Sequence, residues 1–370
     1  MKMISVFQDD FSSPEWQVKG GGWEFSDGAA PTCTGGYEDF SLKHVLYLPR
    51  LYGADRRRLR LRVEFGADTV LNLHTFRTDQ TGMLPNESEF VVDFKNQRLA
   101  MCALCDERFI YERRYVCESE FSLEPGIYTV ELEKDDCMNI LRIRAEERCF
   151  SLRLFGEYAG CQQGYYGFSL REGEPCRLLH AEVFMMDRPK ICFVGDSITE
   201  GARLHDMDGR ESRSSCYSRI LREKIGDCLI SAAGSDCISQ VLEKFESEYR
   251  WIRPEYLCVL IGTNGSDEGN SAEQYNRIVE ACRRYGIQLI LNHIPPTDYC
   301  DYRTRNRNID ATGAIGFATE QVLLRDGTLD RELFTKDEVH PNAAGHRAMA
   351  EFFYPQLMKL LEKAGSEMIF

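Results

Sequence analysis

The chain of 370 residues lacks several features that would direct it to particular partners. No apolar run approaches the ~18 residues needed to span a bilayer, so no membrane segment is predicted. No cluster of lysine and arginine offsets the formal net charge of -14, which would repel a phosphate backbone, so nucleic acid is not an expected partner. There is no internal repeat or low-complexity tract. The 43% hydrophobic and 28% charged residues are typical of a globular protein.

The sequence also shows no secretory leader, because acidic residues interrupt the opening MKMISVFQDDFSS before an apolar segment can form. This predicts a cytoplasmic protein, or a secreted one if a leader has been removed.

The 15 cysteines are odd in number and scattered, which favours reduced thiols over a disulfide framework. Cys102 and Cys105 form an isolated CxxC, and buried small side chains are the favoured interpretation over a metal or redox site.

Chain length and hydrophobic pattern predict two domains, 1–186 and 187–370. In the first, apolar residues alternate with polar ones with period two, as in the segments RRLRLRVEF, IYTVELEK and NILRIRAE. Strands with one buried face have this pattern, and turns containing glycine or acidic residues separate them. The pattern predicts an all-β antiparallel sandwich.

After the polar segment MDRPK the pattern changes. Short apolar strands (ICFVG, CLIS, YLCVLIG and IQLILNHI) alternate with amphipathic helices (YSRILREKI, SQVLEKFESEYRWI and AEQYNRIVEACRRYG), and a final helix, NAAGHRAMAEFFYPQLMKLLEKAG, follows. This alternation is typical of an α/β domain in which helices flank a parallel sheet.

Polar residues follow the predicted strands, at the edge of a parallel sheet where ligands usually bind. Ser197 follows the first strand, and DEVHPN, with Asp337 and His340, precedes the last helix. Histidine can act as the general base for a serine nucleophile, and an aspartate can orient the imidazole. Pro341 restricts His340 to extended backbone and is suited to begin the helix. We therefore predict catalytic roles for Ser197, Asp337 and His340.

Three donors are candidates for an oxyanion hole: the backbone N–H of Ser197 at a helix N-terminus, the backbone N–H of Gly234 and the side-chain amide of Asn264. Each of these positions also has a structural alternative. Ser197 is alternatively an N-cap, Gly234 and Asn264 are turn residues, and Asp337 provides charge at the start of the helix.

GDSITEG, Gly234, GTN and DEVHPN resemble, in this order, the four sequence blocks of the SGNH, or GDSL, hydrolases. The resemblance covers about residues 190 to 363. It implies a flavodoxin-like fold, Ser197 as nucleophile, Gly234 and Asn264 in the oxyanion hole, and Asp337 and His340 as the remaining triad members. The second block departs from the family pattern Asn-x-Gly-x-x-Gly, and Gly265 stands where many members have Asp.

Weaker candidates for substrate contacts are Arg203, His205 and His293, of which His293 is favoured as a structural residue.

The first domain resembles the concanavalin A-like jelly-roll sandwiches, which often accompany carbohydrate-active enzymes. Trp16 and Trp23 are candidates for stacking on sugar rings, although core positions are favoured.

The predicted function is a serine esterase that cleaves a small acyl ester, most plausibly an O-acetyl group on a saccharide. No metal or organic cofactor is expected, because an acyl-serine pathway needs none. The alternatives are a carbohydrate-binding protein with a silent hydrolase domain, and an acyltransferase with the same triad. The sequence does not specify the oligomeric state.

Overall fold

The computed structural model of the chain describes residues 2–35, 37–38, 41–42, 44–76, 88–107, 110–136, 138–155, 163–202, 204, 213–265 and 271–367. These residues form two compact units, Lys2–Met186 and Asp187–Phe370.

The N-terminal unit is built from antiparallel strands. The larger sheets have the strand orders β15-β14-β13-β8-β17-β4-β3, with β1 paired to β17, and β12-β11-β10-β9-β16-β7-β2, while β5 and β6 form a separate pair. The strand bounds are β1 Met3–Asp9, β2 Gln17–Lys19, β3 Trp23–Phe25, β4 Ala29–Pro31, β5 Tyr37–Glu38, β6 Ser41–Leu42, β7 Val45–Tyr52, β8 Arg56–Phe65, β9 Val70–Phe76, β10 Ser88–Asp93, β11 Arg98–Glu107, β12 Ile110–Glu120, β13 Gly126–Asp135, β14 Met138–Ala145, β15 Arg148–Phe155, β16 Gly164–Glu172 and β17 Arg177–Met186.

Strand β8 shows why this segment forms half-buried sheet. Leu59, Leu61 and Val63 are buried on one face, while Arg60 on the other face donates a 3.0 Å hydrogen bond to the Glu131 carboxylate on β13. Side chains of alternating polarity thus meet the core and the solvent in turn. The predicted antiparallel sandwich is confirmed.

The two tryptophans considered for sugar stacking are both held by hydrogen bonds. Trp16 is buried, its indole packs 4.6 Å from the Phe11 ring between centroids, and its Nε1 donates to Asp9 Oδ1 at 2.8 Å. Trp23 is half-buried and its Nε1 donates to the His44 carbonyl at 2.9 Å. Trp16 is therefore part of the core.

The C-terminal unit has a parallel sheet of order β19-β18-β20-β21. Its strands are β18 Ile191–Gly195, β19 Cys228–Ala232, β20 Tyr256–Leu260 and β21 Gln288–Leu291, followed by a short hairpin, β22 Leu324–Arg325 and β23 Thr328–Leu329. The helices are α1 Ser197–Glu200, α2 Tyr217–Ile225, α3 Ile238–Lys244, α4 Arg250–Ile252, α5 Ser271–Tyr285, α6 Tyr302–Ala311, α7 Glu320–Leu323 and α8 Ala343–Glu367, with 3₁₀ turns at Arg213–Ser215 and Arg331–Leu333. The predicted α/β architecture is confirmed.

One predicted helix differs in detail. The segment predicted as continuous over 239–252 contains a π-helical turn, Phe245–Tyr249, between α3 and α4. A single wide turn leaves the apolar face in place, so the hydrophobic pattern does not reveal it. Helix α6 was not predicted, because its ten residues are mostly polar.

Among the described residues, no helix combines the length and the apolar character needed to cross a bilayer. The cysteines whose side chains the structure describes are free thiols. The side chains of Cys102 and Cys105 lie outside the described residues.

Gly195, at the end of β18, provides a test of how tightly the strand supports the loop that follows. A Cβ atom at this position would collide with the Thr199 hydroxyl and with the backbone carbonyl of Leu260, and a carbonyl in a central strand cannot move aside. We expect Gly195→Ala to destabilise the C-terminal unit by roughly 1–3 kcal/mol. Calorimetry should show its transition lowered by roughly 5 °C.

The control for this prediction is Gly126→Ala, because the added Cβ would meet the Tyr128 ring at an ordinary 3.6 Å. We expect this control to leave the calorimetric transitions of both units in place. An unchanged transition in Gly195→Ala would show that the strand end tolerates the extra atom.

Candidate active site

Ser197 lies at a strand–turn–helix junction that presents its side chain at the carboxyl edge of the parallel sheet. Asp196 has extended backbone and caps α1, because its Oδ1 accepts a 3.0 Å hydrogen bond from the Ile198 N–H. Gly201 ends the helix after one turn in the left-handed conformation, with φ of 84°. A Gly-Asp-Ser sequence thus gives a sharp turn and fixes the serine at the first helical position.

Ser197, His340 and Asp337 form a continuous chain of hydrogen bonds. Ser197 Oγ lies 2.8 Å from His340 Nε2, and His340 Nδ1 lies 2.7 Å from Asp337 Oδ2. An ionised carboxylate only accepts hydrogen bonds, so Nδ1 carries the proton and Nε2 accepts from the Ser197 hydroxyl. This is the tautomer that a general base acting on Ser197 requires.

Several donors keep Asp337 negatively charged. Partial burial raises the pKa of this carboxyl, but the N–H groups of His340 and Val339 and the hydroxyl of Thr335 together hold it well below its usual range. The distances from Asp337 Oδ1 are 3.0, 2.9 and 2.6 Å, respectively. Asp337 therefore stays ionised at neutral pH and can stabilise a charged imidazole.

Asn342, rather than Pro341, caps the last helix. Its Oδ1 accepts hydrogen bonds from the N–H groups of Ala344 and Gly345 at 2.9 and 3.1 Å. Pro341 instead pairs with Phe334 in an isolated antiparallel bridge. The prediction that Pro341 begins the helix was wrong: the Asn342 side chain accepts from the first free N–H groups, so Asn342 is the N-cap and Ala343 the first helical residue.

Gly234 lies beside Ser197, but its N–H is engaged. A Cβ atom built on Gly234 would be 4.0 Å from Ser197 Cβ and 3.4 Å from Glu200 Oε2, so the three residues meet at one point. The Gly234 N–H donates to Glu200 Oε2 at 2.6 Å. This predicted oxyanion donor faces a carboxylate in the structure.

Glu200 is a functional candidate that the sequence pattern does not reveal, although the residue belongs to the GDSITEG segment. It lies three residues after Ser197 on α1, and residues with this spacing share one face of a helix. Its side chain is 11% exposed, and Oε1 lies 3.4 Å from the Arg213 guanidinium. The helical spacing was the signal that would have identified it.

Asn264 contacts the loop that contains Gly234. Its Nδ2 donates to the Asp236 carbonyl at 3.1 Å, and within the part of the chain that the structure describes, the second hydrogen of this amide has no recorded acceptor. The structure therefore links Asn264 to the loop 233–236, which contains Gly234.

The weaker substrate candidates have different outcomes. Arg203 and His205 lie outside the described residues. Both ring nitrogens of His293 face carboxylates: Nδ1 lies 3.0 Å from Glu320 and Nε2 lies 2.9 Å from Asp310. The hydrogen bond to Glu320, with a smaller contribution from Asp310, raises the pKa of His293. These contacts tie His293 to α6 and α7.

Burial of Asp196 predicts a pH-dependent stability. Complete burial, with a contribution from nearby Asp236, raises the pKa of Asp196 to about 7, against the opposing hydrogen bond from Ile198. Between the unfolded pKa near 3.9 and this value the folded state binds the extra proton, so the free energy of unfolding falls as the pH rises. The slope is at most about 1.4 kcal/mol per pH unit.

Asp196→Asn removes this titration, while the amide oxygen can still cap α1. We expect the free energy of unfolding of the parent, relative to Asp196→Asn, to decrease as the pH rises from about 4 to about 7. Urea denaturation at several pH values measures this difference. Parallel pH profiles for the two proteins would contradict a raised pKa at Asp196.

Residues 193–348 match the model of the GDSL-like lipase/acylhydrolase family. Among solved structures, a GDSL-like lipase from Bacteroides thetaiotaomicron is 19% identical, over 46% of this chain and 88% of its own, with a TM-score of 0.36. The psychrotrophic esterase EstA from Pseudoalteromonas sp. is 12% identical, over 47% of this chain and 99% of its own, with a TM-score of 0.38.

A carbohydrate-binding module, CBM66 from Bacillus subtilis, is 13% identical, over 46% of this chain and 92% of its own, with a TM-score of 0.31. No curated protein matches the chain. The family match covers the strand–turn–helix junction and the DEVHPN segment described above. The C-terminal unit therefore carries a domain of the GDSL-like lipase/acylhydrolase family, and the protein is a serine hydrolase that acts on carboxylic esters.

Proposed function

We propose that the protein removes a small acyl group, an O-acetyl group on a saccharide, through an acyl-serine intermediate. The observation that carries this mechanism is the hydrogen-bonded chain from Ser197 through His340 to Asp337, with distances of 2.8 and 2.7 Å. This order of hydroxyl, imidazole and carboxylate supports the proposal, because acyl transfer requires a nucleophile, a base and an orienting carboxylate in that order.

In the first half of the reaction, Ser197 Oγ attacks the ester carbonyl carbon and its proton passes to His340 Nε2. The carbonyl oxygen becomes an oxyanion, which the Ser197 N–H and the second hydrogen of the Asn264 amide stabilise. When the tetrahedral intermediate collapses, His340 donates its proton to the leaving alcohol oxygen. Asp337 stays ionised and stabilises the transient imidazolium.

In the second half, a water molecule loses a proton to His340 Nε2 and attacks the acyl-serine carbon. The second tetrahedral intermediate expels Ser197 Oγ, which recovers the proton from His340. The products are a carboxylic acid and the free enzyme, so every atom and proton is accounted for. An alcohol in place of water would give acyl transfer instead.

Two features support a short acyl group on a polar alcohol. The buried Glu200 carboxylate lies at the same point as Ser197 and Gly234, and burying a long alkyl chain against a carboxylate is unfavourable. The N-terminal unit is a sandwich of the kind that often accompanies carbohydrate-active enzymes.

Replacing the nucleophile tests the mechanism. We expect Ser197→Ala to abolish turnover of p-nitrophenyl acetate and labelling by a fluorophosphonate, because no other hydroxyl contacts His340 Nε2 among the described residues. Ser239→Ala, which alters an exposed serine on α3, is the matched control and should behave like the parent. Undiminished hydrolysis by a folded Ser197→Ala protein would exclude Ser197 as the nucleophile.

A series of acyl esters tests the substrate class. We expect kcat/KM for acetyl esters to exceed that for octanoyl and decanoyl esters by at least about tenfold, since a long alkyl chain at this point would desolvate the Glu200 carboxylate, which costs free energy. Acetate release from O-acetylated oligosaccharides, measured beside acetyl transfer to added sugars, separates hydrolysis from transfer. A preference for long acyl chains would contradict the proposed substrate.

A further inference from the structure

Arg305 on α6 binds the backbone on both sides of Asn264. Its Nη1 donates to the Gly262 carbonyl and, at 3.1 Å, to the Thr263 carbonyl, while Nη2 donates to the Gly265 carbonyl at 2.8 Å. Arg305 is 5% exposed, so water offers these carbonyls little competition. One guanidinium thus holds three of the four carbonyls from residue 262 to residue 265.

The loop needs such a restraint because glycines flank Asn264. Gly262 and Gly265 have φ of 128° and 97°, values in the region that favours glycine, and glycine has the greatest backbone freedom in the absence of other contacts. A guanidinium is planar and its N–H groups point in fixed directions, so carbonyls bound to it are fixed relative to one another. Arg305 therefore limits where the Asn264 backbone can lie.

Helix α6 is itself anchored at the neighbouring residue. Asn306 Oδ1 accepts from the Ile294 N–H at 2.9 Å, and Asn306 Nδ2 donates to the Ile294 carbonyl at 3.1 Å. Both Arg305 and Asn306 are buried. Two consecutive residues of α6 thus hold the loops that follow β20 and β21.

We infer that Arg305 is a positioning residue for the oxyanion hole: it places the Asn264 amide toward the reacting carbonyl without touching the substrate. The side chain of Asn264 receives its second restraint from the Asp236 carbonyl at 3.1 Å. The inference rests on the oxyanion role of Asn264 in the proposed function. Small displacements of an oxyanion donor weaken transition-state binding more than substrate binding, so kcat is the affected quantity.

The experiment compares Arg305→Ala in the parent and in an Asn264→Ala background. In the parent we expect kcat for p-nitrophenyl acetate to fall about a hundredfold, the usual effect of losing one oxyanion donor. KM should stay within about twofold of the parent, since uniform binding is not altered. In the Asn264→Ala background, Arg305→Ala should change kcat by less than about threefold, because residues that act through each other are not additive.

Chemical rescue provides a second readout. Low millimolar guanidinium should raise the kcat of Arg305→Ala at least about tenfold, because the free ion can bind in the vacated site. It should not raise the kcat of Asn264→Ala. Arg307→Ala is the matched control, since Arg307 is an exposed residue of the same helix, and it should retain the parent kcat. If Arg305→Ala fails to fold, Arg305→Lys replaces it in the test. Lysine retains the positive charge but lacks the planar guanidinium, so we expect a smaller loss of kcat with KM unchanged.

Equal losses of kcat from Arg305→Ala in both backgrounds would overturn the inference, as would full activity in a folded Arg305→Ala or Arg305→Lys protein. Failure of the proposed function has a different signature. In that case the parent and Ser197→Ala would hydrolyse the ester equally, whatever the residue at position 305.

Discussion

The 2.8 Å hydrogen bond between Ser197 Oγ and His340 Nε2 is the contact on which the rest of the site depends, and it joins positions 143 residues apart. Such a contact exists only if the end of β18 and the segment before α8 are both held in place. The junction at Gly195, Asp196 and Gly201 fixes the first, and the four hydrogen bonds accepted by Asp337 fix the second. The side-chain chemistry is therefore a consequence of two rigid turns at one edge of a parallel sheet.

A buried ion pair, Lys244 with Asp236, holds the loop 233–236 that contains Gly234. Lys244 and Asp236 are fully buried, Lys244 Nζ lies 3.3 Å from Asp236 Oδ2, and it also donates to the Ser231 carbonyl at 3.1 Å. Burying an ion pair costs several kcal/mol per ion in desolvation, so such a pair adds little to stability by itself. What it does here is fix the loop 233–236, whose carbonyl at Asp236 receives the Asn264 amide. Burial of Asp196 itself, with a contribution from the charge of Asp236, raises the pKa of this residue, which directly precedes Ser197.

The sequence predicted features that come from local pattern and missed those that come from tertiary contact. Alternation in β8, the four apolar strands and the helices α2, α5 and α8 were all visible, because each buries one regular face. Ser197, His340 and Asp337 could be grouped because their segments match a known order of blocks. Helix α6 has no apolar periodicity, and Arg305 binds backbone carbonyls 40 or more residues away, which no local pattern encodes. The catalytic roles themselves stay predictions.

The Glu200 carboxylate limits which donors can form the oxyanion hole, because it accepts the hydrogen bond of the Gly234 N–H. An oxyanion donor contributes about 3 to 4 kcal/mol to transition-state stabilisation. A carboxylate about 4 Å from a developing oxyanion opposes it by a similar amount, about 4 kcal/mol at an effective dielectric constant of 20. The Gly234 N–H, which donates to Glu200 at 2.6 Å, therefore gives no net stabilisation while that carboxylate stays in place. Arg213 lies 3.4 Å from the other oxygen of Glu200, and the proposed mechanism therefore draws its oxyanion donors from Ser197 and Asn264.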